Sequence, residues 1–148
     1  MEDVLTLAKL DVGLVHRETM EVTPTITVPG MGSIFPGFSA MPAVFATAYL
    51  VGFSEWTCMR ALVPFLAIDQ KTVGLHIALD HIAATPVGMH VTAEVELTAI
   101  EGRKLRFRID CRDDRETIGT GIHDRFIIDG SRFDSSLNRK LSAWRQGT

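Results

Sequence analysis

The chain has 148 residues, 46% of them apolar and 22% charged, a balance that suits one globular domain with a sizeable core. A net charge of -3 and scattered basic residues offer no surface for tracking phosphates, so nucleic acid is not an expected partner. No apolar run reaches the length of a membrane span, and the opening MEDVLTLAKLDVG lacks the charged-then-apolar layout of a secretion signal; the expected location is the cytoplasm.

In chain order, the first expected strand lies near Gly13 to Val22, followed by an extended piece at Thr25 to Val28 that Pro29-Gly30 closes. Residues 29–42, PGMGSIFPGFSAMP, are too rich in Gly and Pro for a regular element but suit a loop over a pocket. From Ala43 to Phe65 the chain is apolar with no turn signal and too long for one strand, which predicts a central helix buried on most sides. Gly52 inside it costs about 1 kcal/mol relative to Ala, so a close neighbouring backbone or a local bend is expected there.

After residue 70 the period becomes two. Val73, Leu75, Ile77, Leu79 and His81 are expected on one strand face, with Thr72, Gly74, His76, Ala78 and Asp80 on the other. Val91 to Ala99 and Leu105 to Cys111 alternate in the same way about a Glu101-Gly102 hairpin connection. The charged turn DDRE leads into a last strand from Ile118 to Ile128, and the polar tail from Ser131 reads as a short surface helix or a partly disordered end. The pattern defines an α+β fold with an antiparallel sheet laid against one helix.

Cys58 and Cys111 lack a ligand spacing and read as buried free thiols. His16, His76, His81, His90 and His123 form no i, i+4 pair on a helix, so no metal site is expected. Three polar residues remain in apolar surroundings: Thr47, Glu55 and His81. Each has a structural reading alone, Thr47 as a back-bonded helical hydroxyl, Glu55 as an exposed helix position and His81 as a core imidazole. Together they match hydroxyl, base and orienting group, the set that activates a nucleophile or a water.

The runs MPAVFATAYLVGFSEWTCMRALVPFL, TVGLHIALDHIAATPVG, VTAEVELTAIEGRKLRFRI and IGTGIHDRFII carry FAT, VGxxEWxCxRA, H-x-A-A-T-P and H-x-R in order. Over residues 38–128 the chain resembles the fluoroacetyl-coenzyme A thioesterase and its thioesterase-like relatives. The resemblance implies a hot-dog fold, an antiparallel sheet wrapped around a long central helix, over a single domain spanning 1–148 with weakly matching flanks at 1–30 and 131–148. It implies hydrolysis of a short-chain acyl-coenzyme A by a homodimer or a higher oligomer, without metal or redox cofactor. It assigns catalysis to Thr47, Glu55 and His81 and substrate contacts to Gly74, Arg125, Phe38 and Met41. At Met41 the family has an aromatic residue, so the pocket lid is expected to be looser and fluorine selectivity weaker.

Two further readings stand beside hydrolysis: a module that holds acyl-coenzyme A without turning it over, and a hydratase or dehydratase, whose Asp/His pattern is missing. The nucleophile is Thr47, Glu55 or water, with Gly74 among the candidate oxyanion donors. Arg106, Arg108 and Arg112 are candidates for the coenzyme's phosphates, or simply the solvated face of a strand. Thr47 and Glu55, eight residues apart, stand about 12 Å apart along a straight helix. Either the helix starts near Thr47, with that residue in a bent lead-in, or the site is built across two subunits.

Overall fold

The computed structural model describes residues 9–147; the first eight residues of the N-terminal stretch considered for targeting lie outside the described residues. Strands β1 (Val15–Glu21), β2 (Gln70–His81), β3 (His90–Glu101), β4 (Lys104–Asp113) and β5 (Thr117–Asp129) form one antiparallel sheet in the order β1-β3-β4-β5-β2. Helix α1 (Thr47–Leu62) lies across it, and α2 (Gly130–Arg145) follows β5 as the predicted surface helix.

Alternation builds the core. Val91, Ala93, Val95 and Leu97 of β3 and Leu105, Phe107, Ile109 and Cys111 of β4 turn inward. They meet Leu50, Phe53, Cys58, Ala61 and Leu62 of α1. Each large apolar side chain buried this way contributes roughly 1.5–3 kcal/mol. Buried hydroxyls within the helix are satisfied locally, Ser54 on the Leu50 carbonyl and Thr57 on that of Phe53, both at 2.8 Å. Both cysteines are free and buried as expected, and burial pushes the Cys58 thiol up to about 12.

Several expectations need correction. Pro24 opens a tight 3-10 turn (Pro24–Ile26) where an extended piece was expected, since its fixed φ suits a first helical position. The helix begins at Thr47 rather than Ala43: Val44 and Phe45 are extended and bridge to Pro86 and Thr27. A 3-10 turn over Val63–Phe65 finishes it. The loop at 29–42 contains two short 3-10 turns, Pro29–Met31 and Phe38–Ala40. The hairpin turn is Gly102-Arg103, one residue later than expected, with Gly102 at φ 63 as a first turn position demands.

Nor is α1 buried on most sides. Ala48, Gly52, Trp56, Met59 and Val63 form an exposed apolar strip along it, Trp56 at 44% and Val63 at 64%. A Cβ on Gly52 would meet nothing within 4 Å among the described residues, so packing within this chain does not account for that glycine.

The faces of β2 also differ. Gly74 pairs with Arg125 and His76 with Asp124, leaving Leu75 as a bulged extra residue. An inserted residue reverses strand parity. Thr72 and Gly74 therefore face the helix before the bulge, while Ile77, Leu79 and His81 face it afterwards; Leu75 is turned out at 55% exposure. The bulge is what places Gly74 and His81 on the same side of the sheet.

Candidate active site

His81 ends β2, and the Ala-Ala-Thr-Pro segment that follows is tied down at Thr85. The buried Thr85 hydroxyl donates to Asp113 Oδ2 at 2.8 Å, and its carbonyl accepts the Phe45 N–H at 2.9 Å. These bonds draw the lead-in of α1 against the end of β2. Thr47 and His81 meet there, Oγ1 to Nδ1 at 2.8 Å. As the first residue of the helix, Thr47 has no preceding turn to back-bond to, so its hydroxyl is available to the imidazole.

Burial holds the His81 pKa below the ordinary histidine value, against an opposing pull from the Ala83 backbone. Its Nε2 is buried without a hydrogen bond of sound geometry among the described residues. The N–H groups of Thr47 and Ala48, at the positive end of the helix, likewise have no acceptor among the described residues. They border an apolar cleft of about 530 Å³ lined by Val28, Met31, Phe38, Met41 and Ala48. Phe38 packs on Phe35 with ring centroids 5.3 Å apart, and Met41 is 52% exposed. Both residues line the same cleft as Thr47.

Glu55 sits two helical turns further on, in a second cleft of about 260 Å³ with Val51, Gly74, Leu75 and His123. Arg125 Nη1 donates to Glu55 Oε2 at 3.1 Å and lies 3.0 Å from His123 Nε2. The same guanidinium gives Nε–H to Thr72 Oγ1 and an Nη2–H to the Thr72 carbonyl, both at 2.8 Å. Arg125 is only 2% exposed, so its charge is stabilised by these bonds rather than by water. Gly74 leaves the space for this arrangement: a Cβ there would stand 2.7 Å from Glu55 Oε2.

One chain therefore brings Thr47 to His81, and Glu55 to Gly74 and Arg125, but does not pair Glu55 with His81 as expected. Helical rise separates the two groups by about 12 Å. The candidate phosphate arginines are engaged on the outer sheet face: Arg106 grips Asp124 through Nε and Nη2 at 2.7 and 2.9 Å, Arg108 bonds Glu96, and Arg112 bonds Thr117. Sequence reasoning misses His123 and Thr72. The H-x-R spacing puts His123 and Arg125 on one strand face, and a glycine within a strand marks a bulge; both signals are present in the chain.

Gly74→Ala is expected to displace the Glu55 carboxylate from Arg125, lowering any turnover that depends on it by about tenfold or more while melting temperature moves only a few degrees. Paired kinetics and thermal unfolding check this; an unaffected rate would separate Glu55 placement from Gly74.

An antiparallel sheet wrapped on one long helix makes this a hot-dog protein of the thioesterase superfamily. Its fold superposes on two solved structures of the fluoroacetyl-CoA thioesterase FlK, one of them a crystal structure of a point mutant, each with a TM-score of 0.86 at 36% identity over 90% of this chain and 98% of that one. A Thermus thermophilus thioesterase superfamily member gives 0.85 at 21% identity, over 95% of this chain and 99% of the other, which bears on the fold alone. The chain belongs to the fluoroacetyl-CoA-specific thioesterase family, FlK, whose family model matches residues 22–131. It is 38% identical over 122 residues to the fluoroacetyl-CoA thioesterase of Streptantibioticus cattleyicolor, covering 82% of this chain and 88% of that protein.

Proposed function

We propose that the chain is a thioester hydrolase that cleaves short-chain acyl-coenzyme A to the free acid and coenzyme A, as a homodimer. The observation that carries this is the 2.8 Å bond between Thr47 Oγ1 and His81 Nδ1, at a helix N-terminus that opens on an apolar cleft. Family membership and the likeness to a fluoroacetyl-CoA thioesterase support it.

In this reading the acyl group enters the Phe38–Met41 cleft, and the thioester oxygen faces the Thr47 and Ala48 N–H groups. These donors and the helix dipole stabilise the oxyanion. His81 takes the Thr47 proton as the hydroxyl attacks, and returns it to the coenzyme A sulfur as the C–S bond breaks. A water, deprotonated by the same imidazole, then releases the acid and restores Thr47. Besides that water, the scheme uses groups of this protein alone, with Glu55 as the carboxylate that orients and polarises the His81 imidazole. A flexible Met41 at the cleft mouth gives a lid that adapts to several acyl groups.

Glu55 joins the site from a second copy. β2 is an edge strand with an outturned Leu75, beside the exposed strip of Trp56, Met59 and Val63. A free edge and an apolar strip of this kind mark an association surface. A two-fold axis there sets each Glu55 toward the other chain's Thr47–His81 pair. Thiol release from acetyl-, fluoroacetyl- and longer acyl-coenzyme A tests the hydrolase reading and ranks the substrates. Binding with no thiol release would instead define an acyl-coenzyme A-binding module.

A further inference from the structure

We infer that His123 is a positioning residue: its ring accepts one Nη1 hydrogen of Arg125, directing the other to Glu55, while its opposite nitrogen ties down the β2 bulge. The inference rests on the proposed hydrolase reading only in taking Glu55 as a functional carboxylate.

The hydrogen-bond pattern defines the ring's state. His123 is 2% exposed, and its Nδ1 lies 2.9 Å from the His76 carbonyl oxygen, which can only accept. Nδ1 therefore carries the proton. In the neutral ring Nε2 then presents a lone pair, and Arg125 Nη1 stands 3.0 Å from it as donor. Nη1 has two hydrogens, and the second reaches Glu55 Oε2 at 3.1 Å. Thr72 holds the other edge of the guanidinium through Nε and Nη2. With both edges held, the plane of the guanidinium is set and so is its approach to the carboxylate.

The contact with His76 acts on the same carboxylate from another side. His76 is the first paired residue after the bulge at Leu75, and Gly74 just before it makes the room that Glu55 occupies. A Cβ on Gly74 would also meet His123 Cε1 at 3.4 Å, so the ring walls the Glu55 cleft. The charged and titratable groups around the ring are Arg125 on its own strand, Asp124 on the reverse face, Glu55 from α1, and His76 from β2. Burial, and then Arg125, hold the His123 pKa below the ordinary histidine value despite the His76 carbonyl, Glu55 and Asp124. Protonation would set an N–H of the ring against an N–H of the guanidinium.

Two measurements test this. Long-range proton–nitrogen NMR of the wild-type imidazoles, with the His123 signals assigned by their loss in His123→Asn, is expected to show a neutral Nδ1–H ring at pH 7. A charged ring or an Nε2–H tautomer would overturn the inference. In the kinetic arm, His123→Asn keeps an N–H toward the His76 carbonyl but has no acceptor for Arg125. His123→Gln places a carbonyl oxygen where Nε2 stood. The Asn variant is expected to lose about tenfold or more in kcat with little change in KM, and the Gln variant to recover most of it. Equal losses in both, accompanied by a lower melting temperature, would reduce His123 to packing, and a wild-type rate in the Asn variant would remove its role. If the wild-type protein releases no thiol from any acyl-coenzyme A, the hydrolase reading fails by itself, and the NMR result still decides the state of His123.

Discussion

His81→Ala is expected to lower kcat for acyl-coenzyme A hydrolysis by on the order of 10²–10⁴-fold with KM little changed, because it removes a proton-transfer group and leaves the cleft intact. The Thr47 hydroxyl loses its hydrogen-bond partner at 2.8 Å and returns to the poor nucleophilicity of a free alcohol. A pH profile separates this from misfolding. The active imidazole must be neutral, and burial lowers the His81 pKa. The neutral form therefore persists as pH falls through about 6.5, where a free histidine charges. The acid limb of kcat/KM should lie below that point, and in His81→Ala this limb should vanish from whatever rate remains. A folded His81→Ala protein that releases thiol at the wild-type rate would rule out His81 as the base.

Mixing two inactive variants gives the second large effect. Glu55 stands about 12 Å along α1 from Thr47, too far for both to act on one thioester carbonyl within a single chain. If the partner supplies Glu55, His81→Ala chains still carry a good Glu55, and Glu55→Ala chains still carry a good Thr47–His81 pair. Refolded together in equal amounts, half of the dimers are mixed, and each mixed dimer holds one complete site of two. Activity should then return to about a quarter of wild type from two near-zero parents. Denaturation and refolding of the mixture, followed by thiol release, is the measurement. Mixtures that stay at parental activity would show that Glu55 works within its own chain or not at all.

Much of this architecture is legible in the amino-acid sequence. Alternation in β3 as far as Leu97, and along β4, needs only a period of two, because each strand has one face on the helix and one toward solvent. The limits of α1 are less legible. Apolar composition continues through Val44 and Phe45, yet these residues are extended because they bridge to Pro86 and Thr27. Those are long-range bonds that no local pattern encodes. The exposed strip of Trp56, Met59 and Val63 is unreadable for a related reason: apolar character does not distinguish a surface buried by its own chain from one left for another.

The candidate site divides in the same way. Thr47, Glu55 and His81 stand out as polar residues within apolar runs, and the family resemblance then assigns their roles; in the folded chain Thr47 is exposed and Glu55 and His81 are half-buried. The order of residues alone dictates the set of side chains, the α+β pattern and the spacing of Thr47 from Glu55 along one helix. Which of them meet is settled by folding. The bulge at Leu75 reverses the parity of β2, bringing Gly74 and His81 to one face, and the Thr85 anchor carries His81 to Thr47. Arg125 and His123 take Glu55 instead. Parity and spacing are local properties of a chain. Partnership depends on bonds between segments distant in sequence, which form only once the sheet has closed on the helix.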